Sequence, residues 1–309
     1  MPITRRTILS ALGAMPLLGA QELPPPTSIV KNYGGANEPE RTAPLLCVLS
    51  SDMAKVPWEE LGNIAAQMGF DGVDLTCYHG GHVEPNLISV DLIRAFEVIR
   101  GAGISVPVVT TMATNLNEPH QYGIIALSGN AEVRVYRTGF WKPGMNMMQR
   151  RGEVRRDILQ LLMGGQQYKI AAAIPNKLGN FGESVMETQS VIGDLPGQLV
   201  GYYFDVAQAV AQVGPKGDWE ASLRLALPRL KTVSVSDFTW EDDKMKPCPM
   251  GKGVVDWQKV FDILAKAKYL GPVSIAKDYT GGSEVAALAK DLEFTRKVAG
   301  KAYGADSRS

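Results

Sequence analysis

Histidine is scarce in this chain: His79, His82 and His120 are the only three in 309 residues. A histidine-rich, multi-zinc cluster is therefore excluded, and any cation must be held by carboxylates and amides with at most one or two imidazoles. Cysteine is equally sparse. Cys47, Cys77 and Cys248 have no metal-type spacing and can supply one bridge at most, so there is no disulfide framework. Lys plus Arg and Asp plus Glu each number 32, a balance that speaks against a dedicated nucleic-acid binder, which carries a basic excess. No apolar run reaches transmembrane length. No GxGxxG turn follows an early strand, which removes the main signature of a dinucleotide-binding open sheet.

What is present begins with Thr4-Arg5-Arg6-Thr7-Ile8-Leu9, a twin-arginine pattern. A short apolar run over residues 8–18 and the small pair Gly19-Ala20 follow. The run is too short to span a bilayer and predicts a cleavable export signal over 1–20, with a periplasmic or secreted product and no membrane association once it is removed. Residues 21–44, with Pro24-Pro25-Pro26, read as a linker, residues 45–303 as the folded domain and 304–309 as a tail.

From residue 45 short apolar runs alternate with amphipathic helices. The pattern predicts strands over 45–49, 72–76, 104–110, 132–137, 169–175, 199–205, 232–237 and 273–278. Helices are expected over 58–68, 91–102, 118–128, 150–168, 183–192, 219–225, 256–268 and 283–299, with Asp91 and Asp256 as N-caps. Alternating strands and helices imply a parallel sheet, and eight such units over roughly 260 residues match a (β/α)8 TIM barrel, with a doubly wound open sheet as the alternative.

In a barrel the C-terminal strand ends carry the site. The strand 199–205 ends in Asp205, a charge that is costly to bury unpaired, with Gln208 expected on the loop beyond it. Asp205 and Asp278 are candidate ligands for a divalent cation. Asn176 and Gln208 could complete its shell or bind hydroxyls. Lys177, Lys277 and His82 are candidates for moving a proton. Arg137, Trp141 and Asp237 complete the candidate substrate-binding set, although Asp237 also reads as a turn-former, and His82 as a loop-bonding residue. His79 and His120 read as surface residues.

Several stretches, in order and spacing, then resemble one family: GFDGVDLT, GGHVEP, AGISVPVVTT, VYRTGFW, IPN-x-x-G, VGYYFD, SVSDFTWE, CPMGKGVVDW and GPVSI. Over about residues 45–300 they resemble the sugar-phosphate isomerase/epimerase-like proteins of the xylose isomerase-type TIM barrel superfamily. The resemblance implies a site at the C-terminal face, a divalent metal (Mn, Mg, Co or Zn) on acidic residues and a histidine, and proton transfer beside the carbonyl of a sugar or polyol. The chain departs from the metal-bearing pattern. Where strand five often ends in Glu it has Asn176; where strand six carries Asp-x-x-His it has Asp205 and Gln208. Where strand seven reads His-x-Lys-Asp it has Ser234, Ser236 and Asp237, and where strand eight ends in Glu it has Asp278. Two functions therefore stand open: an exported sugar or polyol isomerase/epimerase-like enzyme, and a non-catalytic carbohydrate-binding barrel. An apurinic-site endonuclease shares the fold but needs the histidines and basic face this chain lacks. Nothing in the composition excludes an oligomer.

Overall fold

The computed structural model describes residues 41–304; the expected signal at 1–20, residues 21–40 of the expected linker and the residues from 305 on lie outside the described residues. Eight parallel strands close into a barrel: β1 (Leu45–Leu49), β2 (Gly72–Thr76), β3 (Ser105–Thr110), β4 (Val135–Arg137), β5 (Ala171–Pro175), β6 (Val200–Asp205), β7 (Leu230–Val235) and β10 (Pro272–Ile275). Each pairs with the next in the chain, and β10 closes on β1 with Leu45 opposite Pro272. After β7 an antiparallel pair, β8 (Asp237–Glu241) and β9 (Lys244–Cys248), is inserted. The helices are α1 (Trp58–Met68), α2 (Asp91–Gly101), α3 (Gln121–Asn130), α4 (Met147–Tyr168), α5 (Val185–Ile192), α6 (Val206–Val213), α7 (Trp219–Ala226), α8 (Trp257–Lys266) and α9 (Glu284–Tyr303).

Helical spacing puts one apolar stripe of each helix against the barrel. On α2 it is Leu92, Ala95, Phe96 and Ile99, and on α8 Trp257, Val260, Phe261 and Leu264, all buried. The strands are buried on both faces, as parallel strands under helices must be. Outward residues such as Val48, Val109, Tyr136, Ile174 and Phe204 join the core beneath the helices. Inward residues Leu45, Cys47, Val108, Val135, Ala173 and Tyr203 form a separate cluster inside the barrel. Carrying the same period of two to the strand ends delivers Thr110, Arg137, Pro175, Asp205 and Ser234 to one rim.

The structure departs from sequence expectation at several element ends, strand four starting at Val135 and strand eight stopping at Ile275 short of Asp278, and in four further respects. Asp256 caps α8, accepting from Lys259 N–H at 3.0 Å, but Asp91 is the first helical residue and Val90 precedes it without a side-chain cap. The helix expected from 118 begins at Gln121, because His120 sits at φ 70, a left-handed conformation a right-handed helix cannot run through. Gln208 lies inside α6 and not on a loop. Strand seven ends at Val235; Asp237 instead opens the β8–β9 hairpin, whose tip residues Asp242 and Asp243 have φ 49 and 57, the left-handed pair a tight two-residue hairpin needs. Among the described residues no helix is long and apolar enough to cross a membrane.

Candidate active site

At the C-terminal rim a cleft of about 130 Å3 opens, lined in part by Asp205, Asp278, Lys177, Arg137, Asn176, Ser234, Thr110, Tyr203, Tyr78 and Phe140. Pockets for drug-sized ligands run roughly 300–1,000 Å3, so this one suits a molecule no larger than a single sugar.

Asp205 ends β6 and caps α6, its Oδ1 accepting from the Gln208 N–H at 3.0 Å. Oδ2 receives no hydrogen bond from any described residue. Burial pushes the carboxyl up to about 6, with Asp278 adding to the rise and the Gln208 N–H, Lys177 and Arg137 opposing it. The two candidate amides face its backbone and its neighbour. Asn176 accepts from Asp205 N–H at 2.8 Å and donates to Asp205 C=O at 2.9 Å. The Gln208 Oε1 accepts from Leu178 N–H at 3.2 Å. Residues 176 and 178 are thus pinned on either side of Lys177, which holds the backbone of that residue at the cleft.

Below the rim lies Asp74, fully buried in the barrel. Its Oδ1 accepts from Thr110 Oγ1 at 2.7 Å; its Oδ2 accepts from Ser274 Oγ at 2.8 Å and Tyr203 Oη at 3.3 Å. Burial raises its pKa against these donors and against nearby Arg137. The Tyr203 ring so held lies 5.7 Å from the Arg137 guanidinium, and Phe140 lies 4.9 Å from it, so the cation rests on an aromatic shelf.

Other candidates stand elsewhere. Lys277 does not line the cleft: its Nζ donates to Tyr279 C=O at 2.6 Å and lies 4.6 Å from the Tyr279 ring, while its backbone N–H donates to Asp52 at 2.6 Å. His82 is also off the cleft, its Nε2 3.0 Å from Val56 O, and burial pushes its imidazole down. Trp141 is buried, its indole N–H donating to Asp157 at 3.0 Å and its backbone bridging to Phe181. Asp237 is also buried. It accepts from the backbone N–H groups of Phe238, Gly251, Gly253 and Val255 and from the Trp257 indole, which leaves its carboxylate no room for a ligand. His79 and His120 are exposed. Tyr78 and Phe140 enter the site from loops, where no periodicity announces them.

Asp52, in the turn after β1, is pushed up to about 7 by burial, with the Lys277 N–H opposing and Asp278 adding. Its folded pKa exceeds that of the unfolded chain, so the stability conferred by the protonated form is present below about pH 4 and lost as pH rises to about 7. Asp52→Asn keeps an acceptor for the Lys277 N–H and removes the charge. Thermal melts should show the variant more stable than wild type by roughly 2–4 kcal/mol at pH 8 and little different at pH 4. An equal difference at both pH values would mean that Asp52 does not titrate in this range.

The donor set does not fit the divalent cation that the family resemblance implies. Two carboxylates, Asp205 and Asp278, reach the cleft. The amides at the other two positions are already bonded to Asp205 and Leu178, and the cations Lys177 and Arg137 share the space. Among the described residues no three His, Cys, Asp or Glu are grouped to hold a metal ion.

The comparisons agree with the barrel. Residues 166–298, from the end of α4 into α9, match the family described as Xylose isomerase-like TIM barrel. The fold is a (β/α)8 TIM barrel. An L-ribulose 3-epimerase superposes on this barrel with a TM-score of 0.67 at 12% identity, over 85% of this chain and 97% of that one. The 3-keto-D-glucoside 4-epimerase YcjR from E. coli gives 0.66 at 14%, over 82% and 99%. A xylose isomerase-like barrel from Mycobacterium smegmatis, in complex with magnesium, gives 0.64 at 14%, over 84% and 97%. At these identities the likeness is one of fold. No curated protein matches the sequence.

Proposed function

We propose that this barrel is a sugar or polyol isomerase/epimerase-like enzyme that moves a proton next to a carbonyl with its own side chains. The observation that supports it most is Asp205, whose Oδ2 accepts no hydrogen bond from a described residue and whose pKa of about 6 suits a base at neutral pH. In this reading the Asp205 carboxylate takes the proton from the carbon beside the carbonyl, and the electron pair of that C–H bond moves onto the carbonyl oxygen. Lys177, which lines the same cleft, is the cation for the developing oxyanion. Return of the proton to the former carbonyl carbon, with the adjacent hydroxyl proton passing to the first oxygen, interconverts aldose and ketose; protonation of the original carbon from solvent on its opposite face, with Asp205 giving up its proton to solvent, yields the epimer. The epimerases that share the fold support the substrate class. The twin-arginine pattern at residues 4–9 supports export of the folded enzyme. No step runs through a metal, and activity is expected to persist in chelator.

The test is proton exchange. Aldoses, ketoses and keto acids of three to six carbons are incubated with the protein in D2O and followed by NMR for loss of the C–H signal beside the carbonyl. Exchange is expected with wild type, and a fall of about 10²–10⁴ in Asp205→Asn, which keeps the α6 cap. Asn176 on strand five and Ser234 and Ser236 at strand seven, where the family pattern has Glu, His and Lys, favour the second reading, a carbohydrate-binding barrel, which predicts sugar binding with no exchange.

A further inference from the structure

Arg137 is better equipped than the proton transfer requires. A guanidinium carries five N–H donors in a planar fork, yet among the described residues Arg137 engages only Nη2, with Thr111 C=O at 3.4 Å and the Met112 sulfur at 3.8 Å. No described carboxylate lies within ion-pair distance of it or of Lys177. The shelf beneath it is set in advance, because the Tyr203 hydroxyl is tied to Asp74, which Thr110 and Ser274 also hold. A cation fixed on two aromatic faces, with the Nε and Nη1 donors unspent, pays little entropy to receive a ligand.

We propose that Arg137 is a specificity residue that selects substrates carrying a carboxylate, so that the natural substrate is a sugar acid or shorter polyhydroxy acid rather than a neutral sugar. The inference rests on the reading of this cleft as the substrate site. A planar carboxylate matches the fork through two parallel hydrogen bonds. The small cleft holds a chain of a few carbons with its acid group on Arg137 and its hydroxyls toward Ser234. A phosphate group fits less well, since its second charge would add to the negative charge of Asp205 and Asp278 in the same space.

Calorimetric titration with D-gluconate and D-glucitol tests this without turnover. The two share a carbon chain, differ in the carboxylate, and lack a carbonyl to react. Gluconate should bind wild type about tenfold or more tightly than glucitol. The preference should vanish in Arg137→Gln and shrink in Arg137→Lys, which keeps the charge and loses the fork. Equal affinities, no binding of gluconate at millimolar concentration, or a preference that survives in Arg137→Gln would overturn the proposal, as would tighter binding of glucose 6-phosphate. Should Arg137→Gln fail to fold, the Lys variant alone decides: an undiminished preference sinks the fork. A gluconate preference without any proton exchange in D2O would leave the specificity standing and refute the catalytic reading, so the two fail separately.

Discussion

Asp237→Ala should lower stability by about 4 kcal/mol or more, the largest loss expected from any side chain near the rim. Asp237 is 2% exposed, and its Oδ2 accepts from Gly251 N–H at 2.9 Å, Gly253 N–H at 3.0 Å and the Trp257 indole at 3.0 Å, while Oδ1 accepts from Phe238 N–H at 2.9 Å. Removing the carboxylate strands these donors around one buried point, and each unsatisfied group costs roughly 1–3 kcal/mol before relaxation. Asp237→Asn should be little better. Both oxygens of the carboxylate accept, so an amide NH2 would point at donors in either orientation. Gly253 is part of the same arrangement: a Cβ there would overlap Asp237 Oδ1 and the carbonyl of Phe238. Thermal melts of the Ala and Asn variants should fall by roughly 10 °C or more. A near-wild-type melt for Asn would show that the charge and the second acceptor are dispensable.

For Asp205 activity and stability should move in opposite directions. A general base must be ionised, so the rate should climb with pH about a midpoint near 6 and level off above it. The raised pKa also means that the folded protein holds this proton more tightly than the unfolded chain. The stability conferred by the neutral acid is therefore fully present below about pH 4 and lost as pH rises through about 6, a change of roughly 3 kcal/mol at most. Asp205→Asn keeps an acceptor for the Gln208 N–H while deleting the charge. It should melt higher than wild type at pH 8, with the gap closing toward pH 4, even as exchange activity falls by about 10²–10⁴. A variant less stable than wild type at every pH would show that the ionised carboxylate is structural, and a rate independent of pH between 5 and 8 would remove Asp205 as the base.

Much of this site is legible in the amino-acid order. An apolar run closed by Asp205, with residues 201, 203 and 205 on one face, announces an inward strand end because side chains alternate across a strand. The same period places Thr110, Arg137 and Ser234 on that rim. What escapes is the fate of each polar group. Lys277 and Asp278 are neighbours in sequence, yet one turns to Tyr279 and the other lines the cleft. Asn176 and Gln208 look like ligands and serve to hold the loop that carries Lys177. Asp74, within β2, anchors Tyr203 from across the barrel.

The sequence by itself determined that eight strands alternate with helices, and hence which strand ends form the candidate site, because periodicity and capping are local properties of the backbone. Only the tertiary structure decided which polar groups are spent and which are open. Asp52 meets the Lys277 backbone across 225 residues and Asp74 meets Ser274 across 200. A hydrogen bond is satisfied by whatever partner the closed barrel brings within about 3 Å, however far away it lies in the chain.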